Sequence, residues 1–348
     1  MPTTYAIPNG RTVMNAVTYT GQGISTPTTI STGFPIDFVW VKKRSGAGEN
    51  YVWDTVRGGG NTNDLVTNQT AAQGYNSAYI SQSFSGNNVI VNDAGAGNEL
   101  NASGGTFVAW NWNAGSGTTS SNTNGSTTST VSVNTTAGFS IVSYTTPTAT
   151  SAITLGHGLG VTPAMIITKE RGNTSSWAVY HQSLGNTGCL YLSSTAAFGV
   201  NNSYGTTSPT NSVFTLGSIG SYWDASTTFI SYCWAPIAGF SQFGSYTGNG
   251  STDGPFVYTG FRPKFILTKC SSAAYYWVIE DSTRNPSNVV NLELFPNDSI
   301  AETNASRSVD FLSNGFKIRH TGTTQNNNGD TYIYAAFAEN PFKYANAR

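Results

Sequence analysis

Few side chains in this sequence have the type and spacing that catalysis requires. A Ser-His-Asp hydrolase needs a nucleophile on a sharp turn beside an activated histidine. The 348-residue chain has only three histidines and no Gly-x-Ser-x-Gly elbow. His157 follows a glycine in a glycine-rich turn and His320 lies in a polar loop, so we interpret both as loop residues. We therefore predict no catalytic residue of this kind.

Paired carboxylates are the second chemistry to consider, because glycoside cleavage uses two of them about 5 to 10 Å apart with one pKa raised. The candidate acids are Asp54, Glu280 and Asp281. Asp54 and Asp281 each precede an arginine by three residues, Arg57 and Arg284. This spacing favours structural Asp–Arg ion pairs over catalysis. His181 stands at the corresponding place in a third segment, and we predict a hydrogen-bonding role for it.

Metal and phosphate sites have little support in the sequence. It contains no Cys-x-x-Cys, His-x-x-x-His or calcium-loop aspartate pattern. Glycine-rich turns at 156–158 and 248–250 resemble phosphate loops only weakly, since no predicted helix follows them. The asparagine-rich loops 92–99 and 326–330 stay open as weak cation sites. We predict no cofactor, no metal ligands and no cofactor-binding residues.

The composition excludes several classes of partner. Charged residues make up 9% of the chain, against roughly 25% in ordinary soluble proteins, and the formal net charge is -1. Such a chain has no positive field to gather nucleic acid or anionic lipid, and no apolar stretch reaches 18 residues. We predict neither nucleic-acid binding nor membrane insertion. The odd cysteine count of three argues against a disulfide framework and favours folding in a reducing cytoplasm.

One motif series occurs three times along the chain. The copies open with 17–21, 139–145 and 240–248, continue with apolar runs at 38–41, 165–167 and 265–267, and close with aromatic segments at 106–112, 228–234 and 331–337. The short apolar runs predict strands buried on both faces, and the alternating aromatics predict strands that contribute to a core. A lysine follows each run, and we expect all three to keep a strand end in water: Lys42, Lys169 and Lys269.

These patterns predict an all-β fold of three tandem β-sandwich domains from an internal repeat of about 100 residues. Helical periodicity is almost absent because Gly, Ser and Thr interrupt every window. Each domain should have its own core, and the first should be the more loosely tethered. The predicted boundaries are an N-terminal arm 1–16, sandwiches 17–112, 138–235 and 239–348, and a Ser/Thr/Asn/Gly linker 113–137.

The chain resembles repeat-containing virion proteins of tailed phages from marine and cyanobacterial hosts, which include proteins described as tail fibres. The resemblance covers residues 17–348 and rests on four stretches: Gly138-Phe139-Ser140-Ile141-Val142-Ser143-Tyr144, Gly156-His157-Gly158-Leu159-Gly160, 240–260 and 336–344. It implies a virion protein made in the host cytoplasm and exposed on the particle exterior. It transfers no catalytic or ligand-binding residue.

From these observations we expect a non-enzymatic tail-fibre or fibre-like component that adheres to the host cell surface. A capsid decoration protein is the alternative, and a polysaccharide depolymerase a more remote one. The expected partners are other virion proteins of the tail or capsid, a host surface glycan, and further copies of the chain, with a trimer as the form common in phage fibres. Loop tyrosines are the predicted surface-contact residues: Tyr75, Tyr79, Tyr204 and Tyr222.

Overall fold

The computed structural model describes residues 5–76, 80–93 and 99–341, and almost all regular structure in them is β. Short helical segments occur at Gly10–Thr12 (3-10) and Thr323–Asn326 (α1). The predicted all-β class is confirmed. The strands form three sandwiches, each consisting of a main sheet and an outer sheet.

Within the described residues, the first sandwich contains eight strands. They are β1 (Met14–Thr20), β2 (Thr28–Ser31), β3 (Phe38–Lys43), β4 (Asn50–Asp54), β5 (Leu65–Val66), β6 (Ile80–Ser85), β7 (Asn88–Asp93) and β8 (Thr106–Trp112). The main sheet has the order β1-β8-β3-β4-β5, and the outer sheet has the order β2-β7-β6.

The second sandwich contains ten strands. They are β9 (Ser120–Asn122), β10 (Ser129–Asn134), β11 (Phe139–Thr145), β12 (Ile153–Gly156), β13 (Met165–Glu170), β14 (Ala178–His181), β15 (Gly185–Tyr191), β16 (Gly199–Val200), β17 (Val213–Leu216) and β18 (Thr228–Trp234). The main sheet has the order β16-β15-β14-β13-β18-β11-β10-β9, and β12 pairs with β17 in the outer sheet.

The third sandwich contains eight strands. They are β19 (Ser241–Thr247), β20 (Phe256–Tyr258), β21 (Phe261–Cys270), β22 (Trp277–Asp281), β23 (Val290–Glu293), β24 (Thr303–Leu312), β25 (Gly315–Ile318) and β26 (Thr331–Pro341). The main sheet has the order β19-β26-β21-β22, and the outer sheet has the order β20-β25-β24-β23. The dipeptide Asn314-Gly315, a strong turn signal in the sequence, lies at the tight turn of the β24–β25 hairpin.

The three main sheets share one strand order at their centres: β1-β8-β3-β4, β11-β18-β13-β14 and β19-β26-β21-β22. In each, the apolar run pairs antiparallel with the closing aromatic strand, so that Phe38, Met165 and Phe265 lie opposite Trp112, Trp234 and Phe337. Their apolar residues are buried throughout, which confirms the prediction of strands covered on both faces.

Burial on both faces arises because each main sheet contributes to two cores. In β3, Val39 and Val41 pack in the core of the first sandwich, while Phe38 and Trp40 point the other way. The second and third sandwiches have corresponding private cores. The opposite faces of all three main sheets meet in one shared central core, which includes Trp112, Met165, Trp234, Phe265 and Phe337.

This shared core corrects the predicted organisation. The sandwiches are not loosely joined beads, because the large aromatic side chains on the second face of each main sheet are buried against the other two sandwiches. The predicted linker 113–137 is also largely ordered, since β9 and β10 lie within it and extend the second main sheet through pairing with β11. Residues Met14–Ala16 of the predicted arm belong to β1.

Candidate functional site: buried interlocks and exposed aromatic rings

The two predicted Asp–Arg pairs are confirmed. Arg57 Nε lies 2.5 Å from Asp54 Oδ2, and Arg284 Nε lies 2.6 Å from Asp281 Oδ2, with all four side chains fully buried. In each pair the backbone N–H of the arginine also donates to Oδ1 of the aspartate, at 2.9 Å. Each aspartate therefore closes a turn at the end of its strand and neutralises the arginine that follows.

Each of these turns also bonds to the neighbouring sandwich. Tyr232 of the second sandwich donates to Asp54 Oδ2 at 2.7 Å, and Trp110 Nε1 of the first donates to Asp281 Oδ2 at 3.0 Å. His181 Nε2 lies 3.2 Å from the carbonyl of Tyr334 in the third. We call these three contacts the interlocks. They join first to second, second to third and third to first, so the ring of sandwiches is closed.

Electrostatics explains why the residue types differ between interlocks. Burial alone would raise the pKa of Asp281, but Arg284 outweighs it and holds that pKa below its ordinary value. His181 has no such arginine, since Leu184 takes that place, and burial lowers its pKa to about 4. The imidazole of His181 is therefore neutral at pH 7. Nδ1 accepts from Ser183 N–H at 3.2 Å, so Nε2–H donates to the Tyr334 carbonyl, which is the predicted hydrogen-bonding role.

The three lysines after the apolar runs are buried, which corrects the prediction that they lie in water. Each ammonium group donates to backbone carbonyls that include one from a neighbouring sandwich: Lys42 to Ser299 at 2.9 Å, Lys169 to Thr70 at 3.3 Å and Lys269 to Thr195 at 3.1 Å. Burial lowers the pKa of each to about 8. Like the interlocks, these bonds occur once at each of the three interfaces.

Arg44, two residues after Lys42, binds Glu302 of the third sandwich through two nitrogens, at 2.8 to 3.0 Å. Two tryptophans make comparable bonds elsewhere. Trp177 Nε1 donates to the Val66 carbonyl and Trp277 Nε1 to the Tyr191 carbonyl, both at 2.9 Å. Every interface thus combines apolar contact with directional polar bonds.

The shared core contains an apolar cavity lined by all three sandwiches. It has about 20 Å³ of room for the centre of a water molecule, which is close to the minimum that a single water occupies. Its lining residues are Trp40, Trp112, Met165, Ile167, Trp234, Phe243, Phe265, Leu267, Ala335 and Phe337. The cavity is a packing defect at the junction of three sheets and is too small for an organic ligand.

The three candidate acids do not converge on a common substrate. Glu280 and Asp281 are consecutive in β22, so their side chains point to opposite faces of the sheet. Glu280 lies on the face of the third private core, where Gln325 donates to it at 2.8 Å. Burial and the nearby Glu293 raise the pKa of Glu280 to about 8. Asp54 is fully buried in the first sandwich with Arg57.

The remaining histidines are buried: His157 accepts from Leu159 N–H, and His320 bonds to Gln325. Among the residues that the structure describes, no group of three His, Cys, Asp or Glu side chains is placed to hold a metal ion. The asparagine-rich loop 326–330 is closed by its own bonds, such as Asn327 Nδ2 to Asp330, whereas the other loop, 92–99, extends outside the described residues at 94–98. Cys189, Cys233 and Cys270 are buried free thiols.

In the described ranges, no helix combines the length and the apolar composition that crossing a bilayer would require.

The predicted contact tyrosines divide into three outcomes. Tyr75 and Tyr222 have 45% and 48% of their surface exposed, as a contact role requires. Tyr204 is buried, which corrects its assignment. Its hydroxyl lies 3.1 to 3.3 Å from Ile166 O, Thr168 Oγ1 and Ala178 O, so its loop folds inward to satisfy main-sheet carbonyls. Tyr79 lies outside the described residues.

Sequence reasoning missed the exposed rings of Phe256 and Tyr258, which are 45% and 61% exposed. They flank the buried Val257 on β20, the edge strand of the third outer sheet. The alternation Phe-Val-Tyr after Pro255 was a usable signal. It was missed because period two defines two faces of a strand but does not say which face is covered.

Comparison with known families gives a match over nearly the whole chain. A family model described as a domain of unknown function (DUF7483) matches residues 10–341, nearly the whole chain. No curated protein shows significant sequence similarity to it.

Proposed function

We propose that this chain, which belongs to the DUF7483 family, is a non-enzymatic structural protein on the exterior of a phage particle that adheres to the host cell surface. The proposal combines the virion resemblance of residues 17–348 with the architecture of the chain. Capsid decoration stays the alternative to this proposal. Attachment through other virion proteins and assembly into a homo-oligomer or trimer stay predictions.

The observation that carries the proposal is that buried polar groups form hydrogen bonds between the sandwiches. Asp54 and Asp281, two of the three candidate acids, and His181 each bond to a neighbouring sandwich and are closed to solvent. Rigid fastening of three β-sandwiches suits a part that must keep its shape outside a cell. The compact ring favours a terminal knob on a fibre over a segment of its shaft.

Location on the particle tests this proposal. Antibodies raised against the purified chain should label intact particles of the encoding phage by immunogold electron microscopy, with gold at the tail. Gold on the head would overturn the tail-fibre assignment in favour of capsid decoration. Particles without label, confirmed by mass spectrometry of their proteins, would refute a virion role.

Enzymatic activity is tested separately. The purified chain, incubated with host envelope polysaccharide, should release no reducing sugar above a buffer control. If reducing ends appear and their rate scales with the amount of the chain, the depolymerase alternative replaces the proposal.

A further inference from the structure

The outer sheet of the third sandwich presents a face unlike those of the other two. In β20, Val257 points into the private core opposite Phe316, so Phe256 and Tyr258 point away from it. The strand rise sets the two side chains about 6.6 Å apart. Both rings lie on the same side of the sheet and reach solvent at its edge.

The other two sandwiches provide an internal comparison. Strands β2 and β12 occupy the place of β20, and their buried central pairs are Ile30 with Val89 and Leu155 with Phe214. The residues flanking these centres are small or polar: Thr29 and Ser31 in β2, and Thr154 and Gly156 in β12. An aromatic pair is therefore not required by the sandwich at this place. Because only the third sandwich has the aromatic pair at this place, the pair points to a role in binding rather than in folding.

Polar groups surround the two rings. Lys317 pairs with Phe256 across the strands and lies 2.8 Å from the carboxylate of Asp253. Asp310 pairs with Lys317 on the next strand and lies 3.5 Å from Arg319. With Phe256 and Tyr258, these residues form what we call the outer aromatic face. Its two positive and two negative charges cancel, while offering both donors and acceptors.

Gly315 keeps the rings accessible. It lies opposite Tyr258, so no cross-strand side chain covers that ring. A Cβ atom at this position would clash with the backbone carbonyl oxygen of Val257 and would approach Phe256 Cε2 to 3.0 Å, so the glycine admits the β20 backbone and also lets the Phe256 ring lie low over the strand. The result is a shallow apolar floor bordered by hydrogen-bonding groups.

From this arrangement we infer that the outer aromatic face is a binding site for an uncharged glycan. Aromatic faces pack against the apolar C–H face of a sugar ring, and the bordering donors and acceptors match its hydroxyl groups. A net-neutral face suits a ligand without charge. The inference rests on the proposed adhesive function and names its ligand class.

Addition of a protein strand to the open edge of β20 is the competing use of this surface. Two features oppose it: β20 is only three residues long, and Pro255 precedes it. Short edge strands and edge prolines are devices that hinder strand pairing. They leave the exposed side chains free to bind while protecting the backbone.

The test uses the purified full chain on an array of immobilised bacterial surface glycans, followed by calorimetric titration of the bound oligosaccharide. The variant F256T/Y258S introduces the residues that β2 carries at these places, and Y276S removes an exposed ring elsewhere as a control. We expect the double variant to weaken affinity at least about tenfold and Y276S to leave it unchanged. Affinity should also stay nearly constant from ~0.05 M to ~0.5 M salt.

Four results would overturn the inference: no glycan bound by the wild type, equal binding by the double variant, a steep fall of affinity with salt, or self-association of the wild type that the double variant abolishes. The last would assign the face to a second copy of the chain. Circular dichroism of each variant establishes that it is folded. Tail labelling without glycan binding refutes this site alone, whereas glycan binding by a chain absent from particles refutes only the virion role.

Discussion

Replacing Asp281 or Asp54 with alanine tests whether the interlocks stabilise the ring of sandwiches. Asp281 accepts four hydrogen bonds: from the backbone N–H of Thr283 and of Arg284, from Arg284 Nε and from Trp110 Nε1. Its removal leaves the Arg284 guanidinium buried with fewer partners and leaves the Trp110 indole N–H without an acceptor. Breaking a buried ion pair from one side costs about 3–5 kcal/mol.

The structure places the two variants at different points in this range. Arg284 keeps a second carboxylate, Glu302 at 2.9 Å, so D281A should destabilise by about 3 kcal/mol. In the described part of the chain Arg57 has no carboxylate partner besides Asp54, and only carbonyl, amide and hydroxyl oxygens would remain. D54A should therefore cost more, about 5 kcal/mol.

Urea unfolding followed by tryptophan fluorescence and by far-UV circular dichroism measures both changes. Coincident transitions for the two probes are required, because they show that the sandwiches unfold together. The control is E339Q, which breaks the more exposed Arg11–Glu339 pair and should cost less than about 1 kcal/mol. Equal losses for D54A and D281A, the reverse order, or losses as small as that of E339Q would refute the reasoning.

Three further predictions concern other buried polar groups. The pKa of Lys269 is about 8 in the folded state against 10.5 in the unfolded state, so between pH 8 and 10.5 the unfolded chain binds more protons and the free energy of unfolding rises with pH. Across that window the wild type should gain up to about 3 kcal/mol of stability relative to K269M, measured by urea titration. A stability difference that does not change with pH would contradict this prediction. H181D places a carboxylate against the Tyr334 carbonyl and should lower the free energy of unfolding by at least about 3 kcal/mol. Adding L184R supplies the arginine that this interlock lacks, and thermal unfolding of the double variant should show that stability is partly restored. Y204F should cost about 1–2 kcal/mol because a buried hydroxyl is lost, whereas Y75F, at an exposed ring, should change the urea midpoint little; equal effects would argue against the buried assignment.

Local patterns predicted the parts of the fold that depend on neighbours in sequence. The apolar runs gave the central strands β3, β13 and β21, the alternating aromatics gave β8, β18 and β26, and Asn314-Gly315 gave a hairpin. The Asp-x-x-Arg spacing was sufficient to predict both ion pairs, because an aspartate and an arginine three residues apart at a strand end meet within one turn.

The errors share one physical cause. A lysine at the end of an apolar run is usually solvated. Lys42, Lys169 and Lys269 instead donate to carbonyls of their own sandwich and to one carbonyl of a neighbouring sandwich, and this last partner exists only once the sandwiches have met. A polar segment such as 113–137 has little tendency to form strands alone, and its pairing with β11 orders it. The Tyr204 hydroxyl likewise meets its three oxygen partners only in the folded chain.

The sequence by itself determined the all-β class, the two-faced burial of the central strands and the residue pairs that close single turns, since these follow from side-chain alternation and short-range spacing. Only the tertiary structure decided that the three sandwiches share a core, which interlock joins which pair, and which aromatic faces stay open, as at Phe256 and Tyr258. The reason is that alternation assigns a side chain to a face of its strand, whereas the surface that covers that face comes from residues about 100 or more positions away along the chain.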